Sequence, residues 1–380
     1  MARAERRNPA PAKRRSEPRP PAVARVLERV TSTARAHGMF APGQLVLVAC
    51  SGGPDSTCLL HAIQRLRRLL RIRLVVFHFD HRLRPDSAED ALYVLRQAER
   101  LGVPFVLREA ADGPAKGQSV EAWARLARYG ALTQAAADEG AHVAAVGHTA
   151  DDQAETILLA LVRGGGLEAL AGMPAVGSVP PLGFPAVRPL IETTREEVEA
   201  FCRALRLRPR EDPMNRDPRF LRARIRHELL PLLEERLGRG VRSALARTAE
   251  LIRADAEHLD ALADAASRGI VTVGESEIRL HVGALAALPE PIAARVVHRA
   301  LRLAAAAGGE WSSDAATAHV RAVLDLARGR PGRKVDLPTH LKARRDGEYV
   351  RLSRASPEVA EPARRARAGR RRGASPRGGG

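Results

Sequence analysis

Hydrophobic and polar positions follow two different periods between residues 45 and 200 of this chain. Short apolar runs predict buried strands, and they cover residues 45–50, 74–79, 103–109, 142–148 and 186–191. Between these runs apolar residues recur every three or four positions, which predicts helices over residues 56–70, 86–102, 119–140 and 151–166 and after residue 193. Strands that alternate with helices of this length form βαβ units. We therefore expect an α/β fold with a doubly wound parallel sheet.

The pattern changes near residue 240. Residues 241–268 and 290–328 are rich in Ala, Arg and Leu at helical spacing, residues 270–282 resemble a hairpin, and residues 333–353 alternate like two or three short strands. We expect a mainly helical domain and a small C-terminal β module after the α/β domain. The predicted parts are a basic tail over residues 1–22, an α/β domain over 23–240, a helical domain over 241–330, the β module over 331–354 and a second basic tail over 355–380.

Positive charge is spread over the whole chain, whose formal net charge is +18. Residues 1–22 and residues 355–380 each hold seven Arg or Lys and two Glu, so each tail carries +5. Their Pro, Gly, Ala and Arg content predicts disorder. A basic body with basic tails favours a polyanionic partner such as nucleic acid or a membrane surface. The alternative is that the tails are basic because of genome composition, since arginine far exceeds lysine throughout the chain.

The three cysteines, Cys50, Cys58 and Cys202, show neither Cys-x-x-Cys spacing nor histidines at zinc spacing. They are typical of small buried residues in a reducing compartment, so we expect neither zinc nor an iron–sulfur cluster. The basic N-terminus precedes no apolar signal segment, and no apolar run is long enough to span a membrane. We expect a cytoplasmic protein without a membrane partner.

The first predicted strand ends abruptly in Ser-Gly-Gly-Pro-Asp-Ser. This strand, glycine turn and helix aim backbone N–H groups and a helix dipole at the turn, which favours an anion. The stretch matches neither the P-loop, which needs a lysine after its glycines, nor the Gly-x-Gly-x-x-Gly fingerprint. An ordinary turn in which Asp55 complements the helix dipole is the alternative. The candidate phosphate-binding residues are Ser51, Gly52, Gly53, Pro54, Asp55 and Ser56.

Two further polar clusters lie where predicted strands end, and such ends converge on one crevice in a doubly wound sheet. The first, over residues 78–84, offers His81 and Arg84 for an anionic ligand, whereas His78 is more typical of a sheet histidine with its hydrogen bonds satisfied. The second contains His148, Asp151 and Asp152. Adjacent carboxylates can hold magnesium or act as a base, while helix capping would explain only one of them.

Arginines dominate residues 219–226. Arg222 and Arg226 are four residues apart and therefore lie on one helix face. This face can be solvated, or it can bind the phosphates of a nucleotide or an RNA.

These residues carry a resemblance to a known family. The loop over residues 51–56 resembles the pyrophosphate loop of the N-type ATP pyrophosphatases (PP-loop). Four further segments resemble the tRNA(Ile)-lysidine synthetases, and they cover residues 80–87, 121–129, 147–173 and 211–235, the last with Asp212 and Asn215 at matching positions. The resemblance is good over residues 43–240 and looser to about residue 328.

The resemblance implies an enzyme that adenylates the C2 oxygen of the wobble cytidine, position 34, in the CAU-anticodon tRNA(Ile). The ε-amine of free L-lysine then displaces AMP, which changes codon reading from AUG to AUA. ATP and Mg²⁺ are implied, and a homodimer stays open. The alternatives are a tRNA thiolase on the same fold, disfavoured by the missing Cys-x-x-Cys, and a non-catalytic RNA-binding protein, disfavoured by the clustered acids.

The resemblance also implies roles for individual residues. Implied catalytic residues are Asp55, Asp152, His148 and Arg128. Implied ATP-binding residues are Ser51, Gly52, Gly53, Pro54, Asp55, Ser56, His81 and Arg84. Implied contacts to tRNA or to the intermediate are Arg125, Asp151, Asn215, Arg222 and Arg226, and the implied magnesium ligands are Asp55 and Asp152.

Overall fold

A computed structural model of the chain describes residues 19–354, except for residues 116, 180–182, 211–216, 218, 220, 306–312 and 339. Asp212 and Asn215 therefore lie outside the described residues. The chain forms two compact units. The first runs to Leu161 and includes Ala171–Glu250, and the second comprises Val162–Leu170 and the chain from Leu251 onward. The boundaries of the five predicted parts stay predictions.

The first unit is built on a six-stranded sheet. Its strands are β1 (Leu45–Ala49), β2 (Arg73–Asp80), β3 (Phe105–Glu109), β4 (Val143–Ala145), β5 (Val176–Val179) and β6 (Phe184–Val187). The order is β3-β2-β1-β4-β6-β5, and every neighbouring pair is parallel except β5 with β6. The parallel α/β fold class is thereby confirmed.

Helices cover both faces of this sheet, as the apolar character of its strands requires. They are α1 (Pro21–Ala36), α2 (Pro54–Leu70), α3 (Ser87–Leu101), α4 (Val120–Glu139), α5 (Ala150–Val162), α7 (Arg195–Ala204), α8 (Leu221–Arg224), a π-helical turn (Ile225–Leu229) and α9 (Leu230–Leu237). Alternation along β1 sends Val46 and Val48 into the core with α1, α2 and α7, and Leu47 into the core with α4.

The observed elements differ from the predicted pattern in several places. Helix α1 was not predicted, although Val23, Val26 and Val30 bury one of its faces. Strand β5 was not predicted either, because only its hairpin with β6 gives it partners. The strand predicted over residues 186–191 ends at Val187, since Pro189 has no N–H to donate to a neighbouring strand.

The second unit combines helices with an antiparallel sheet. Two short helices, α6 (Leu167–Leu170) and α11 (Val282–Ala286), and two longer ones, α12 (Glu290–Ala305) and α13 (Ser313–Arg328), belong to this unit. Helix α10 (Val241–Ile270) begins in the first unit and ends in the second. The strands of the second unit are β7 (Val271–Val273), β8 (Glu277–His281), β9 (Lys334–Asp336), β10 (Leu341–Asp346) and β11 (Tyr349–Arg354), in the order β7-β8-β11-β10-β9.

One sheet thus joins the predicted hairpin to the predicted C-terminal strands, because β8 pairs with β11. One face of this sheet packs on α12 and α13 through Leu280, Ala343 and Val350. Among the described residues, no helix is both long enough and apolar enough to cross a membrane.

Candidate active site

The loop after β1 is shaped for an anion. Gly52 has φ +90°, a left-handed conformation that side chains rarely adopt, and Gly53 is the N-cap of α2 with Pro54 at its first position. The Gly52 carbonyl accepts hydrogen bonds from the Arg210 N–H at 2.9 Å and from the Thr57 hydroxyl at 3.2 Å. The backbone of the turn is therefore fixed before any ligand arrives.

The Ser56 hydroxyl forms hydrogen bonds within the same turn. It accepts a hydrogen bond from the Ser51 N–H at 3.1 Å, donates to the Gly53 carbonyl at 3.1 Å, and lies 3.1 Å from the Ser51 Oγ. Both hydroxyls thus stand at the N-terminus of α2, where the helix dipole is positive. This combination of hydroxyls, N–H groups and dipole suits a phosphate.

Gly147 follows β4 and lies against the backbone of Asp55 and Ser56 in the loop after β1. A Cβ at this position would lie 3.2 Å from the Asp55 carbonyl carbon and 3.2 Å from the Ser56 Cα. A side chain here would press on the backbone of the loop after β1, so glycine favours the close approach of the segment after β4. These two strands are neighbours at the point where the strand order reverses, which is where doubly wound sheets bind their ligands.

Asp55 is the carboxylate left open in this crevice. Its buried Oδ1 has no hydrogen-bond partner among the described residues. Burial, followed by the repulsion of Asp152, raises the pKa of Asp55 to about 7, against the opposing effect of Arg195 and Arg226. A carboxyl group that is half ionised near neutral pH can take up or release a proton there.

Asp152 is, by contrast, fully engaged. Its Oδ2 accepts hydrogen bonds from the Thr149 N–H at 2.9 Å and from the Thr149 hydroxyl at 3.1 Å, which is the capping geometry of α5. Its Oδ1 accepts from Arg226 at 2.9 Å and from Arg222 at 3.3 Å. Burial alone would raise the pKa of Asp152, but the two arginines and the Thr149 N–H hold it below its usual value.

Glu155 shares both arginines with Asp152. Its fully buried carboxylate accepts hydrogen bonds from Arg222 Nε at 2.7 Å, from Arg226 Nη2 at 3.1 Å and from Arg226 Nε. Two carboxylates and two guanidinium groups therefore form one network of buried ion pairs. This network orients the arginine face predicted from the sequence and places it in the crevice.

Asp151 contacts two neighbouring helices. Its Oδ2 accepts the Arg195 N–H at 2.7 Å, at the N-terminus of α7, and its Oδ1 accepts from Arg242 at 2.9 Å. Arg242 also contacts Glu234 at 3.0 Å. The carboxylate thus ties α5, α7 and α10 together.

His148 is held as a neutral hydrogen-bond donor. Arg188 Nε donates to His148 Nδ1 at 3.2 Å, and Arg188 Nη1 donates to the Pro174 carbonyl at 2.8 Å. An Nδ1 that accepts leaves the proton on Nε2. Burial, with Arg188 adding to it, lowers the pKa of His148 well below its usual value, against the attraction of Asp152.

His81 and Arg84 follow β2 at the rim of the same crevice. Burial, with a contribution from Arg128, lowers the pKa of His81 to about 4, so its ring is uncharged at neutral pH. The buried Nδ1 of His81 has no hydrogen-bond partner among the described residues. Arg84 lies 2.5 Å from Asp90. His81 is therefore suited to a hydrogen bond with a ligand rather than to an ion pair.

Arg125 and Arg128 extend from α4 toward the crevice. Their guanidinium carbons lie 5.2 and 5.1 Å from the centre of the Tyr129 ring. Within the described part of the chain, neither arginine forms an ion pair with a carboxylate. Both charges are thus available to an anionic ligand.

These groups line one cavity of about 510 Å³, a size typical of nucleotide-sized ligands. The predicted site residues that line it are Ser51, Gly53, Pro54, Asp55, Ser56, His81, Arg84, Arg125, Arg128, His148, Asp152, Arg222 and Arg226. Gly52 and Asp151 do not line it. A larger cavity of about 610 Å³ lies at the opposite end of the strands, around Arg67, Arg71 and Arg73, and carries none of the paired acids.

Glu155, Arg188, Arg195, Arg210 and Gly147 were not predicted as site residues. Glu155 could have been found, because it lies three positions after Asp152 on a helix and thus on the same face. Arg188 carried no such signal, since 40 residues separate it from His148. Only the pairing of β4 with β6 brings those two side chains together.

A PP-loop domain model matches residues 24–233, which is more than half of the chain, and a model of the TilS substrate binding domain matches residues 280–351. A tRNA(Ile)-lysidine synthase of Thermobifida fusca is 40% identical over 335 residues, covering 87% of this chain and 98% of the relative. The chain belongs to the tRNA(Ile)-lysidine synthase family. The enzyme of that name from Streptomyces coelicolor is 41% identical over 305 residues, covering 80% of this chain and 83% of the relative.

Among solved structures, a U34-tRNA thiolase from Methanococcus maripaludis with its iron–sulfur cluster superposes with a TM-score of 0.51. It is 17% identical and covers 61% of this chain and 80% of the thiolase. At this identity the likeness shows the shared fold alone. Family membership confirms the resemblance identified from the sequence motifs.

Proposed function

We propose that this chain is a tRNA(Ile)-lysidine synthase, an ATP-dependent ligase that joins free L-lysine to C2 of the wobble cytidine of tRNA(Ile). The observation that carries the proposal is a loop shaped for an anion that shares a cavity with Asp55, whose Oδ1 has no hydrogen-bond partner among the described residues. Both occur in a chain whose similarity extends over 98% of a lysidine synthase. The reaction releases pyrophosphate when ATP adenylates the cytidine, and AMP when lysine displaces it.

The loop after β1 is proposed to hold the departing pyrophosphate. The N–H groups of Gly52 and Gly53 and the hydroxyls of Ser51 and Ser56 stand at the N-terminus of α2, where negative charge is stabilised. Because their mutual hydrogen bonds are already formed, little reorganisation is needed as charge develops on the leaving group.

Asp55 is proposed to accept the proton of the lysine ammonium. Such an ammonium has a pKa near ~10.4 and must lose a proton before its nitrogen can attack. A base with a pKa of about 7 removes that proton more readily than an ordinary carboxylate does. Asp152 is proposed to hold Arg222 and Arg226 in place instead, since both of its oxygens are occupied.

His148 and Arg128 are proposed to stabilise the adenylated cytidine. His148 presents its Nε2–H as a donor, and Arg128 presents a guanidinium group that pairs with no carboxylate in the described part of the chain. Donors that are fixed before the reaction stabilise developing charge more than mobile ones.

Magnesium fits this site through Asp55 alone. The described residues contain no group of three or more His, Cys, Asp or Glu side chains that could hold a metal ion. Proteins commonly bind Mg²⁺ with one or two carboxylates together with substrate phosphates. Asp55 is the proposed ligand, whereas Asp152, both of whose oxygens already accept hydrogen bonds, is not, and the ion would neutralise phosphate charge when bound.

The thiolase alternative meets a chemical obstacle in this chain. All three cysteines are buried, and burial raises the pKa of Cys50 to about 11 and that of Cys202 to about 12. A thiol with such a pKa holds its proton at neutral pH and is a poor sulfur nucleophile.

The deciding experiment incubates the protein with ATP, labelled lysine and a CAU-anticodon tRNA(Ile) transcript. We expect label in the tRNA and one AMP and one pyrophosphate for each lysine joined. A tRNA(Met) transcript with the same anticodon is the control for specificity, and Asp55→Asn is the control for chemistry. ATP consumption without label in the tRNA contradicts the proposal. Sedimentation velocity tests whether the chain forms a homodimer, which the sequence leaves open.

A further inference from the structure

The larger cavity of the first unit, at the end of the strands away from the candidate active site, is lined by arginines. Its volume is about 610 Å³, and no acidic side chain of the described residues lines it. Two of the arginines come from the last turn of α2, one is the C-cap of α2, and one begins β2: Arg67, Arg68, Arg71 and Arg73. This site is here named the arginine cavity.

The charges of the four arginines are not neutralised by the fold. Within the described part of the chain, none of the four forms an ion pair, whereas Arg108, toward the other end of the sheet, pairs with Asp138 at 2.8 Å. The negative end of the α2 dipole favours cations in the last turn, which accounts for Arg67 and Arg68 without a ligand. The arginines at the C-cap and in β2 need another reason.

Arg71 adopts a backbone conformation that favours glycine. It caps α2 with φ 55° and ψ 41°, while Gly102 and Gly140 occupy the equivalent positions after α3 and α4 with φ 61° and 66°. All three caps lead into strands of the same sheet. The Arg71 carbonyl accepts the Gly43 N–H at 2.7 Å, which fixes the turn. A side chain kept in this conformation, where neighbouring helices have glycine, indicates a function for the side chain.

The arginine cavity is separate from the candidate active site. Strand β2 runs from Arg73 to Asp80, so its ends lie about 23 Å apart at ~3.3 Å per residue. Helix α2 has 17 residues and is therefore about 25 Å long, with the loop after β1 at its first turn and the arginine cavity at its last. A ligand in the arginine cavity cannot take part in chemistry at that loop.

The ligand that fits carries several phosphates and a ring. A guanidinium group donates two parallel hydrogen bonds to a phosphate and also stacks on aromatic planes. Four cations without acids between them concentrate polyanions. The rest of the lining is mainly apolar: Leu45, Ile72, Leu74, Val75, Val103 and Pro104. The volume lies within the range of small-molecule sites. A chain of phosphates would pair with the arginines while a base covers the apolar residues.

We propose that the arginine cavity binds a nucleoside polyphosphate that does not react, in addition to any nucleotide at the loop after β1. This second site goes beyond the proposed ligase activity and does not depend on it. Its four arginines hold the phosphate chain, and the left-handed turn at Arg71 aligns the C-cap arginine with the arginine that begins β2.

The test counts the ATP molecules bound per full-length chain by calorimetric titration. The cavity variant combines Arg71→Gly with Arg73→Gln. The matched control, Arg25→Gln with Arg236→Gln, removes two exposed arginines of the same unit that line neither cavity. We expect the wild type and the control to bind one more ATP per chain than the cavity variant. Equal numbers in the wild type and the cavity variant would overturn the proposal.

A competitor tests the class of ligand. In Gly53→Ala, where the loop after β1 should bind ATP weakly, inorganic tripolyphosphate should displace the remaining ATP only at tenfold or higher concentration, because it offers no ring to the apolar residues. Equal potency of tripolyphosphate and ATP would overturn the assignment to a nucleotide. If the cavity variant binds a tRNA transcript more weakly but still binds as many ATP molecules as the wild type, the arginines contact RNA instead, and the proposal fails.

The single variant Arg71→Gly separates ligand binding from folding. Glycine adopts a φ of 55° without steric cost, and the change removes one of four like charges. We therefore expect the midpoint of thermal unfolding to rise while ATP affinity at the arginine cavity falls at least tenfold. A lower midpoint would show that Arg71 stabilises the fold, and would contradict the proposal.

Discussion

Asp55 costs the folded chain stability at the pH where it is proposed to act. Its pKa rises from 3.8 to about 7 on folding, mainly through burial. The folded state thus holds a proton that the unfolded chain releases between these values. Stability therefore falls as the pH rises through this window, and the full cost remains above pH ~7.

We expect Asp55→Asn to abolish lysine incorporation and to stabilise the fold by about 2 kcal/mol at pH ~8.5, since an amide has no charge to desolvate. At pH ~5.5 the gain should be smaller, because the wild-type side chain is then protonated. Thermal unfolding of both proteins at the two pH values measures the difference. An equal gain at both values would mean that charge burial at Asp55 is not its cause.

Arg188 acts on the reaction through His148. Because Arg188 donates to Nδ1 and its charge adds to burial in lowering the pKa of His148, the loss of Arg188 should raise that pKa. For Arg188→Gln we expect a new acidic limb in the pH profile of lysine incorporation. Arg188→Lys, which keeps the charge, should shift that limb less. Identical pH profiles for Arg188→Gln and the wild type would remove Arg188 from this positioning role.

At the scale of elements, the periodic pattern of apolar residues predicted the strands and helices of the α/β sheet. It did not predict contacts between residues that lie far apart in the sequence. The loop between β1 and α2 was recognisable because glycine, proline and a change of period coincide at residues 51–56. Helix α1 was missed because it lies next to a basic tail of similar composition. Arg188 and Gly147 gain their contacts from strand pairing and close backbone approach, which no local pattern records.

Substitutions of the two glycines in the loop after β1 should affect different properties of the protein, stability for Gly52 and ATP affinity for Gly53. Gly52→Ala forces a side chain into φ +90°, and we expect it to lower stability by about 1–3 kcal/mol. Gly53 has an ordinary φ of −69°, and a Cβ there has only the Ser51 Oγ within 4 Å, at 3.6 Å. Gly53→Ala should therefore keep the unfolding midpoint while lowering ATP affinity at least tenfold, because the methyl group enters the phosphate site.

Thermal unfolding measures the loss of stability expected for Gly52→Ala, and calorimetric titration measures the loss of ATP affinity expected for Gly53→Ala. Full ATP affinity in Gly53→Ala would place the phosphate elsewhere. An unchanged midpoint in Gly52→Ala would show that the turn accommodates a side chain after all.

Adjacent acids on α5 provide a second contrast. Asp151 accepts the first N–H of α7 and pairs with Arg242, so Asp151→Asn should cost about 1–2 kcal/mol of stability and leave ATP binding intact. Asp152→Asn should instead abolish lysine incorporation, because it removes the charge that orients Arg222 and Arg226. Urea unfolding and the labelled-lysine assay measure the two effects. Loss of ATP binding in Asp151→Asn would show that Asp151 does more than join helices.

At the scale of the whole molecule, positive charge is divided between the folded body and the two ends of the chain. Helix α1 begins at Pro21 and buries Val23, so a truncation must begin at Arg19 rather than at residue 23 to keep its first turn. Residues 1–18 hold six Arg or Lys and two Glu, a net +4, and residues 355–380 hold +5. Together they carry half of the net charge of +18.

Basic tails add salt-dependent attraction to any RNA, but they cannot orient a particular base. For a protein of residues 19–354 we therefore expect an unchanged rate of lysine incorporation at saturating tRNA and unchanged preference for tRNA(Ile) over tRNA(Met). Its affinity for both tRNAs should fall at low salt, with a shallower slope of log affinity against log salt, because fewer counterions are released. Binding and incorporation are measured for both proteins and both tRNAs over one salt series. If the shortened protein loses its preference for tRNA(Ile), recognition does not reside in the folded body, and the ends of the chain take part in selecting the substrate.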